Sequence, residues 1–175
     1  MHLKKIDRPH PELLEKLVEL YERAYQEDLR YAEIGRRRIK RYLKWLFKHA
    51  RGAFWVAFEG EEPVGFVALE EMGPVPEIHE IVVSPEWRGR SLAEKLMQEA
   101  LDYLSRRGFS RVALWVGEHN QRARHFYEKM GFQITEKAGV WLRMEKELQE
   151  RERASSLRTR QAVSASESER VSSGV

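Results

Sequence analysis

The residues most able to do chemistry lie between Glu77 and Ala93. Glu77, His79 and Glu80 are three titratable side chains in one run of strand composition, Glu77–Val83. After Ser84-Pro85-Glu86-Trp87 comes Arg88-Gly89-Arg90-Ser91-Leu92-Ala93, where a helix-period pattern begins. A strand ending in a basic, small-residue loop that opens a helix offers unpaired backbone N–H groups and a positive dipole end to an anion. Such a loop is a candidate phosphate cradle, and it needs glycine or small residues because the backbone itself must approach the phosphates. An ordinary strand-to-helix turn would use the same residue types.

A second segment carries Asn120, Ala123, Tyr127, Gly131 and Phe132 in the spacing N-x-x-A-x-x-x-Y-x-x-x-G-F. Asn120, the only asparagine of the chain, suits a helix N-cap, a role compatible with binding a ligand. Tyr127 carries a proton donor on an aromatic body, and a core aromatic beside Ala123 and Met130 is its other reading.

The elements that must hold these residues are legible from period and punctuation. Leu3 to Ile6 predicts a short first strand. Leu13, Leu14, Leu17, Leu20, Tyr21 and Ala24 form one helical stripe after Pro9 and Pro11, and Ile39, Tyr42, Leu43, Leu46 and Ala50 form another within a helix from Arg36 to Ala50. The period then shortens. Ala53–Glu59 and Pro63–Glu70 flank Gly60-Glu61-Glu62 as a hairpin, and Glu77–Val83 is a third strand. A long helix marked by Leu92, Leu96, Ala100, Tyr103 and Leu104 stops at Gly108, followed by strand Arg111–Val116, helix Gln121–Met130 and a last strand Val140–Glu147. The order β-αα-βββ-α-β-α-ββ predicts a mixed sheet flanked by helices, an α/β layer architecture.

Composition bounds the rest. The 175 residues, 42% apolar, 10% aromatic and 34% charged, suffice for one domain with a buried core and exclude wholesale disorder. With no cysteine, disulfide scaffolds, cysteine zinc sites and cysteine nucleophiles are excluded. No metal-ligand cluster is seen. The longest uncharged apolar run, Ala53 to Phe58, is far below the ~20 residues that span a bilayer, and the first residues lack an apolar leader, so no membrane partner and a cytoplasmic location are expected.

The net charge of +3 is the remainder of 31 basic and 28 acidic side chains. Between Ile34 and Phe58 there is no acidic residue, while Arg36, Arg37, Arg38, Lys40, Arg41, Lys44, Lys48 and Arg51 all fall there. A solvated helix face is the simplest account, and a nucleic-acid partner is not expected. Residues 149–175 carry seven serines and no apolar periodicity, which predicts a disordered Ser/Arg-rich tail after a domain of residues 1–148.

The two motifs, in order and at this spacing, resemble those of the GCN5-related N-acetyltransferases, over about Phe54 to Leu148. The resemblance implies a mixed, mostly antiparallel sheet with a splayed parallel strand pair and helices on both faces. It implies acetyl-CoA as co-substrate, with backbone groups of Ile81, Val82 and Val83 along the pantetheine arm. The loop of Arg88, Gly89, Arg90, Ser91, Leu92 and Ala93 would hold the pyrophosphate, Asn120 would bond the pantetheine chain, and Tyr127 would protonate the departing thiolate. Ser91 departs from the family pattern, standing where that pattern has glycine.

Transfer to an amine requires its neutral form, hence a proton acceptor. Glu80, nearest the cofactor-facing end, is preferred, with Glu77, His79, Glu118 and His119 as alternatives. Strand alternation places Glu80 opposite to Glu77 and His79. The expected activity is direct acetyl transfer to a primary amine: a protein N-terminus, a lysine or a small amine. The 120–132 segment leans towards the ribosomal-protein and protein N-terminal branch, and a homodimer is compatible with these features. The alternative is a catalytically inactive CoA-binding or ribosome/RNA-associated interaction protein.

Overall fold

Each change of hydrophobic period along the chain becomes a change of element. A computed structural model describes residues 1–148, and the tail expected at 149–175 lies outside the described residues. The elements are β1 (His2–Lys5), α1 (Pro11–Ala24), α2 (Arg36–Ala50), β2 (Phe54–Glu59), β3 (Glu62–Glu70), β4 (Glu77–Val83), α3 (Leu92–Arg106), β5 (Arg111–Gly117), α4 (Gln121–Lys129), β6 (Gln133–Ala138) and β7 (Trp141–Glu147). A short 3-10 turn, Pro85–Trp87, separates β4 from the loop before α3. The first strand sits one residue earlier than the sequence predicts, because pairing with β2 starts at His2, whose ring stacks on Phe58 at 5.4 Å.

The helix starts follow from local chemistry. His10 Nδ1 accepts the Leu13 amide at 3.1 Å, and Pro11 occupies the first position of α1, where a missing N–H costs nothing. Asn120 Oδ1 accepts the Ala123 amide at 3.3 Å and so caps α4.

Seven strands form one sheet in the order β1-β2-β3-β4-β5-β7-β6. All neighbours are antiparallel except β4 and β5. On one face α1 and α2 bury Leu14, Leu17, Ile39, Leu43 and Leu46 against Phe54, Val56, Phe66, Ala68 and Val82. On the other, α3 buries Leu92, Leu96, Met97, Ala100 and Leu104 against Val67, Leu69, Ile78, Val112 and Leu114. At about 1.5–3 kcal/mol for each large side chain buried, these two layers hold the sheet from both sides. Gly65 lets α3 come close: a Cβ there would lie 2.9 Å from the Val82 carbonyl oxygen and 3.1 Å from a Leu96 methyl.

Strand β4 is irregular in two ways, one within its pairing to β3 and one in its pairing to β5. The β3–β4 register pairs Ala68 with Glu80 and Leu69 with Ile78, so His79 is an extra, bulged residue. The bulge overturns the simple alternation expected of this strand. Glu80 bonds to Tyr42 and the His79 ring packs on Tyr42 and Trp45, so the two consecutive side chains share the face covered by α2. On its other edge β4 meets β5 in parallel, and only Glu77 and Ala113 are in register, with the Ala113 amide donating to the Pro76 oxygen at 3.0 Å. Beyond that point β4 and β5 diverge.

Candidate active site

The divergence of β4 and β5 opens a cleft of about 1350 Å3 whose walls are built from nearly every element the two motifs touch. Glu77 to Val83 form its floor. One bank is Arg88, Gly89 and Ser91 to Glu94, and the other is Asn120 to Ala123, Phe126 and Tyr127. Of the preferred site residues, only Arg90 stands outside this lining, and of the alternative bases only Glu118 does. Arg90 is exposed, with its guanidinium over the Trp87 ring at 5.1 Å.

On the first bank the backbone turns twice through the left-handed region, at Gly89 (φ 74°) and at Ser91 (φ 62°). Ser91 therefore keeps the conformation for which glycine is the usual residue, and its hydroxyl makes no capping bond. The turn presents the start of α3. Lys95 is the first amide with an intrahelical partner, donating to the Ser91 oxygen at 3.1 Å, so Leu92 and Ala93 precede the ladder and offer their N–H groups to the cleft mouth. Glu94, in the same first turn, is held below the usual carboxylate range by its own backbone amide and by Lys129 on α4, 3.2 Å away.

The opposite bank is the N-terminus of α4. Since the Asn120 side-chain oxygen is spent on the cap, its amide NH2 is the group left for a ligand. Two turns on, Tyr127 packs between Phe126 and Phe132, with ring centroids 5.5 and 6.0 Å away. Burial, reinforced by the charge of Glu80, drives its phenol well above the ordinary value, so it stays protonated across the whole neutral range.

Glu80 sits at the centre of the floor. Its Oε1 accepts from the Tyr25 hydroxyl, and its Oε2 accepts from the Tyr42 hydroxyl at 2.7 Å. Burial pushes the carboxyl up to about 6 while the two phenols oppose the rise. Tyr25 and Tyr42 are themselves pushed upward, first by burial and then by the Glu80 charge.

The other candidate bases are differently engaged. Glu77 is paired with Arg143 at 2.9 Å. His79 is lowered by burial and packs against Trp45 at 4.7 Å between centroids. Glu118 is tied to Lys137 at 2.7 Å, and His119 is exposed.

No motif in the chain signals how α1 and α2 reach the cleft. Tyr25 is the C-cap residue of α1. Tyr31, in the loop between α1 and α2, crosses to β5: its hydroxyl accepts the His119 amide at 3.2 Å and its ring lies 5.2 Å from Trp141. Only a glycine permits that crossing, since a Cβ on Gly117 would meet the Tyr31 ring at 2.2 Å. Arg88 anchors the end of α1 through the Ala24 carbonyl at 2.7 Å. The one sign of these contacts in the sequence is the density of tyrosine in residues 21–42.

Of the basic run, Arg36 and Lys40 pair with Glu19 and Glu15 of α1. Among the described residues no group of three or more His, Cys, Asp or Glu could hold a metal ion, and no helix is long and apolar enough to cross a membrane.

Comparison with known proteins agrees with this geometry. The model of the acetyltransferase (GNAT) family matches residues 14–132. An uncharacterized N-acetyltransferase of Methanocaldococcus jannaschii is 38% identical over 142 residues, which is 77% of this chain and 63% of that protein. The chain thus spans less than two thirds of that relative's length. A solved structure from Pyrococcus horikoshii is 33% identical and superposes with a TM-score of 0.76, over 85% of this chain and 98% of the other. The PaiA N-acetyltransferase of Thermoplasma acidophilum, solved in complex with coenzyme A, shares the fold at 21% identity, with a TM-score of 0.71 over 84% of this chain and 99% of its own.

Proposed function

The chain belongs to the GNAT family of acetyltransferases, and on that footing we propose that it transfers an acetyl group from acetyl-CoA directly to a primary amine bound in the same cleft. The observation that carries this is the wedge between β4 and β5, with the Gly89–Ala93 turn on one bank and Asn120 and Tyr127 on the other.

The residues fit such a ligand. The amides of Leu92 and Ala93, at the positive end of α3, suit a diphosphate, and the Asn120 NH2 suits an amide-bearing arm. The edge of β4 at Ile81 to Val83 that β3 does not use offers backbone donors and acceptors along the wedge. Ser91 retains the left-handed geometry of the loop, so the cradle keeps its shape despite the missing glycine.

The thioester supplies the acetyl group, and the chain supplies proton transfers and position. Glu80 takes the proton from the acceptor's ammonium, leaving a neutral amine to attack. With its carboxyl at about 6, it is ionised at neutral pH yet basic enough to share a proton. Tyr127, held protonated by burial, gives its proton to the departing sulfur as the C–S bond breaks, and the cationic nitrogen of the tetrahedral intermediate gives up its extra proton in exchange, which restores the phenol. No acyl-enzyme is needed.

Calorimetric titration with acetyl-CoA, beside desulfo-CoA and ATP, tests the reading. Saturable binding of the two CoA compounds with weaker or no binding of ATP is expected, and no binding of acetyl-CoA would refute it. Turnover of Glu80→Gln that keeps the wild-type pH profile would remove Glu80 from the mechanism.

A further inference from the structure

Resting on Glu80 as the proton acceptor, we propose that Tyr25 and Tyr42 are positioning residues for it, two phenols donating one to each carboxylate oxygen so that the acceptor meets an ionised, fixed carboxylate. The pair comes from two different elements. Tyr25 closes α1 and its hydroxyl donates to Oε1, while Tyr42, in the second turn of α2, donates to Oε2 at 2.7 Å. The bulge at His79 is what lets the carboxylate meet both, because it turns Glu80 towards α1 and α2 together with Val82.

Held in this way, neither oxygen is left to water alone, and each keeps a second lone pair for the acceptor's N–H. In the proton step one N–H bond of the ammonium breaks and one O–H bond forms on Glu80. The phenols remain protonated throughout, since burial and the neighbouring carboxylate both oppose their ionisation.

The groups that face Glu80 can be named element by element. From α1 and its cap come Tyr21 and Tyr25, from α2 Tyr42, from α4 Tyr127, and from β4 itself Glu77 and His79. Glu77 is neutralised by Arg143 at 2.9 Å, and Tyr21 spends its hydroxyl on the Glu33 amide at 3.0 Å. Tyr25 and Tyr42 are therefore the two side chains whose bonds to Glu80 favour its charged form. If the two phenols served packing alone, removing their hydroxyls would move neither the Glu80 midpoint nor the acid limb of turnover.

The test reads Glu80 directly. Protein labelled with 13C at the glutamate carboxyl carbon is titrated by NMR, and the Glu80 signal is assigned as the one lost in Glu80→Gln. Wild type is expected to titrate near 6. Tyr25→Phe and Tyr42→Phe should each raise that midpoint by about one pH unit, the double variant by more, as expected for losing hydrogen bonds to a charged group. Tyr21→Phe, whose hydroxyl is engaged elsewhere, should leave it in place.

Thermal unfolding of each variant confirms a folded sample, and the two single substitutions are independent routes to the same readout. A midpoint that stays put or falls in both single variants overturns the proposal. In turnover, the acid limb of kcat/KM should move up in pH with the NMR midpoint. If the midpoint moves while Glu80→Gln leaves the pH profile unchanged, the clamp stands and the assignment of Glu80 as base fails, so the two failures are distinguishable.

Discussion

Replacing Ser91 by glycine tests whether the loop conformation, and not the side chain, makes the phosphate cradle. Ser91 has φ 62° and ψ 16°, in the left-handed region, and its hydroxyl forms no capping bond. A left-handed conformation costs an L-residue roughly 1–2 kcal/mol, which glycine does not incur. Against this, glycine gains about 0.5–1 kcal/mol of unfolded-state entropy. The net expectation for Ser91→Gly is a stabilisation of about 0.5–1 kcal/mol, a rise of ~1–4 °C in Tm for a domain of this size. Ser91→Ala keeps the strained φ and loses no hydrogen bond, so its Tm should stay within about 1 °C of wild type. Acetyl-CoA affinity should hold within about threefold in both, because the amides of Leu92 and Ala93 stay where they are. Calorimetry supplies both the unfolding curve and the titration. If Ser91→Gly proves less stable than wild type, or Ser91→Ala stabilises as much as glycine does, the assignment of strain at Ser91 is wrong.

Three other perturbations have outcomes set by the geometry. Tyr127→Phe keeps the ring among Phe126 and Phe132 but removes the proton donor, so kcat should fall by about 100-fold or more with acetyl-CoA affinity nearly unchanged, and an unchanged kcat would make Tyr127 a packing residue. Burial raises Glu80 from 4.5 to about 6, so the folded state binds that proton more tightly than the unfolded one; the resulting stability is complete below pH 4.5 and lost as pH rises through 6. Glu80→Gln removes the titration and should exceed wild type in urea stability at pH 8 by up to ~2 kcal/mol, with the difference shrinking towards pH 4; equal differences at both would refute the shift. Gly117→Ala should displace the Tyr31 ring, which a Cβ would meet at 2.2 Å. Trypsin should then cut after Arg30 several-fold faster, whereas an unchanged rate would show that the loop tolerates the methyl.

The architecture was readable from the chain because its signals are local. The apolar stripes of α1 and α2, the Asn120 cap and the shift from helical to strand period each act over a few residues. The resemblance carried by the two motif segments implied two opposing banks, and in the structure both segments line the cleft at the open β4–β5 pair. What escaped was everything decided by register. A single extra residue at His79 reverses the facing of the strand beyond it, and no composition marks a bulge. The partners of Glu80 escaped for a related reason: Tyr25 and Tyr42 are remote from it in sequence and meet it only through the packing of α1 and α2 on β4. Tyr42 reads as one more member of an apolar stripe, and Tyr25 lies one residue past the stripe that ends at Ala24.

The most direct single measurement is thiol release from acetyl-CoA in the presence of a panel of primary amines, followed with a thiol-reactive dye and matched by mass spectrometry of the acetylated amine. The chain has no cysteine to react with the dye, so every thiol counted is released coenzyme. The proposed function predicts thiol and acetylated amine in equal amounts, with the rate reduced in both Glu80→Gln and Tyr127→Phe. Tight binding of acetyl-CoA with no amine-dependent thiol release from any member of the panel would contradict it.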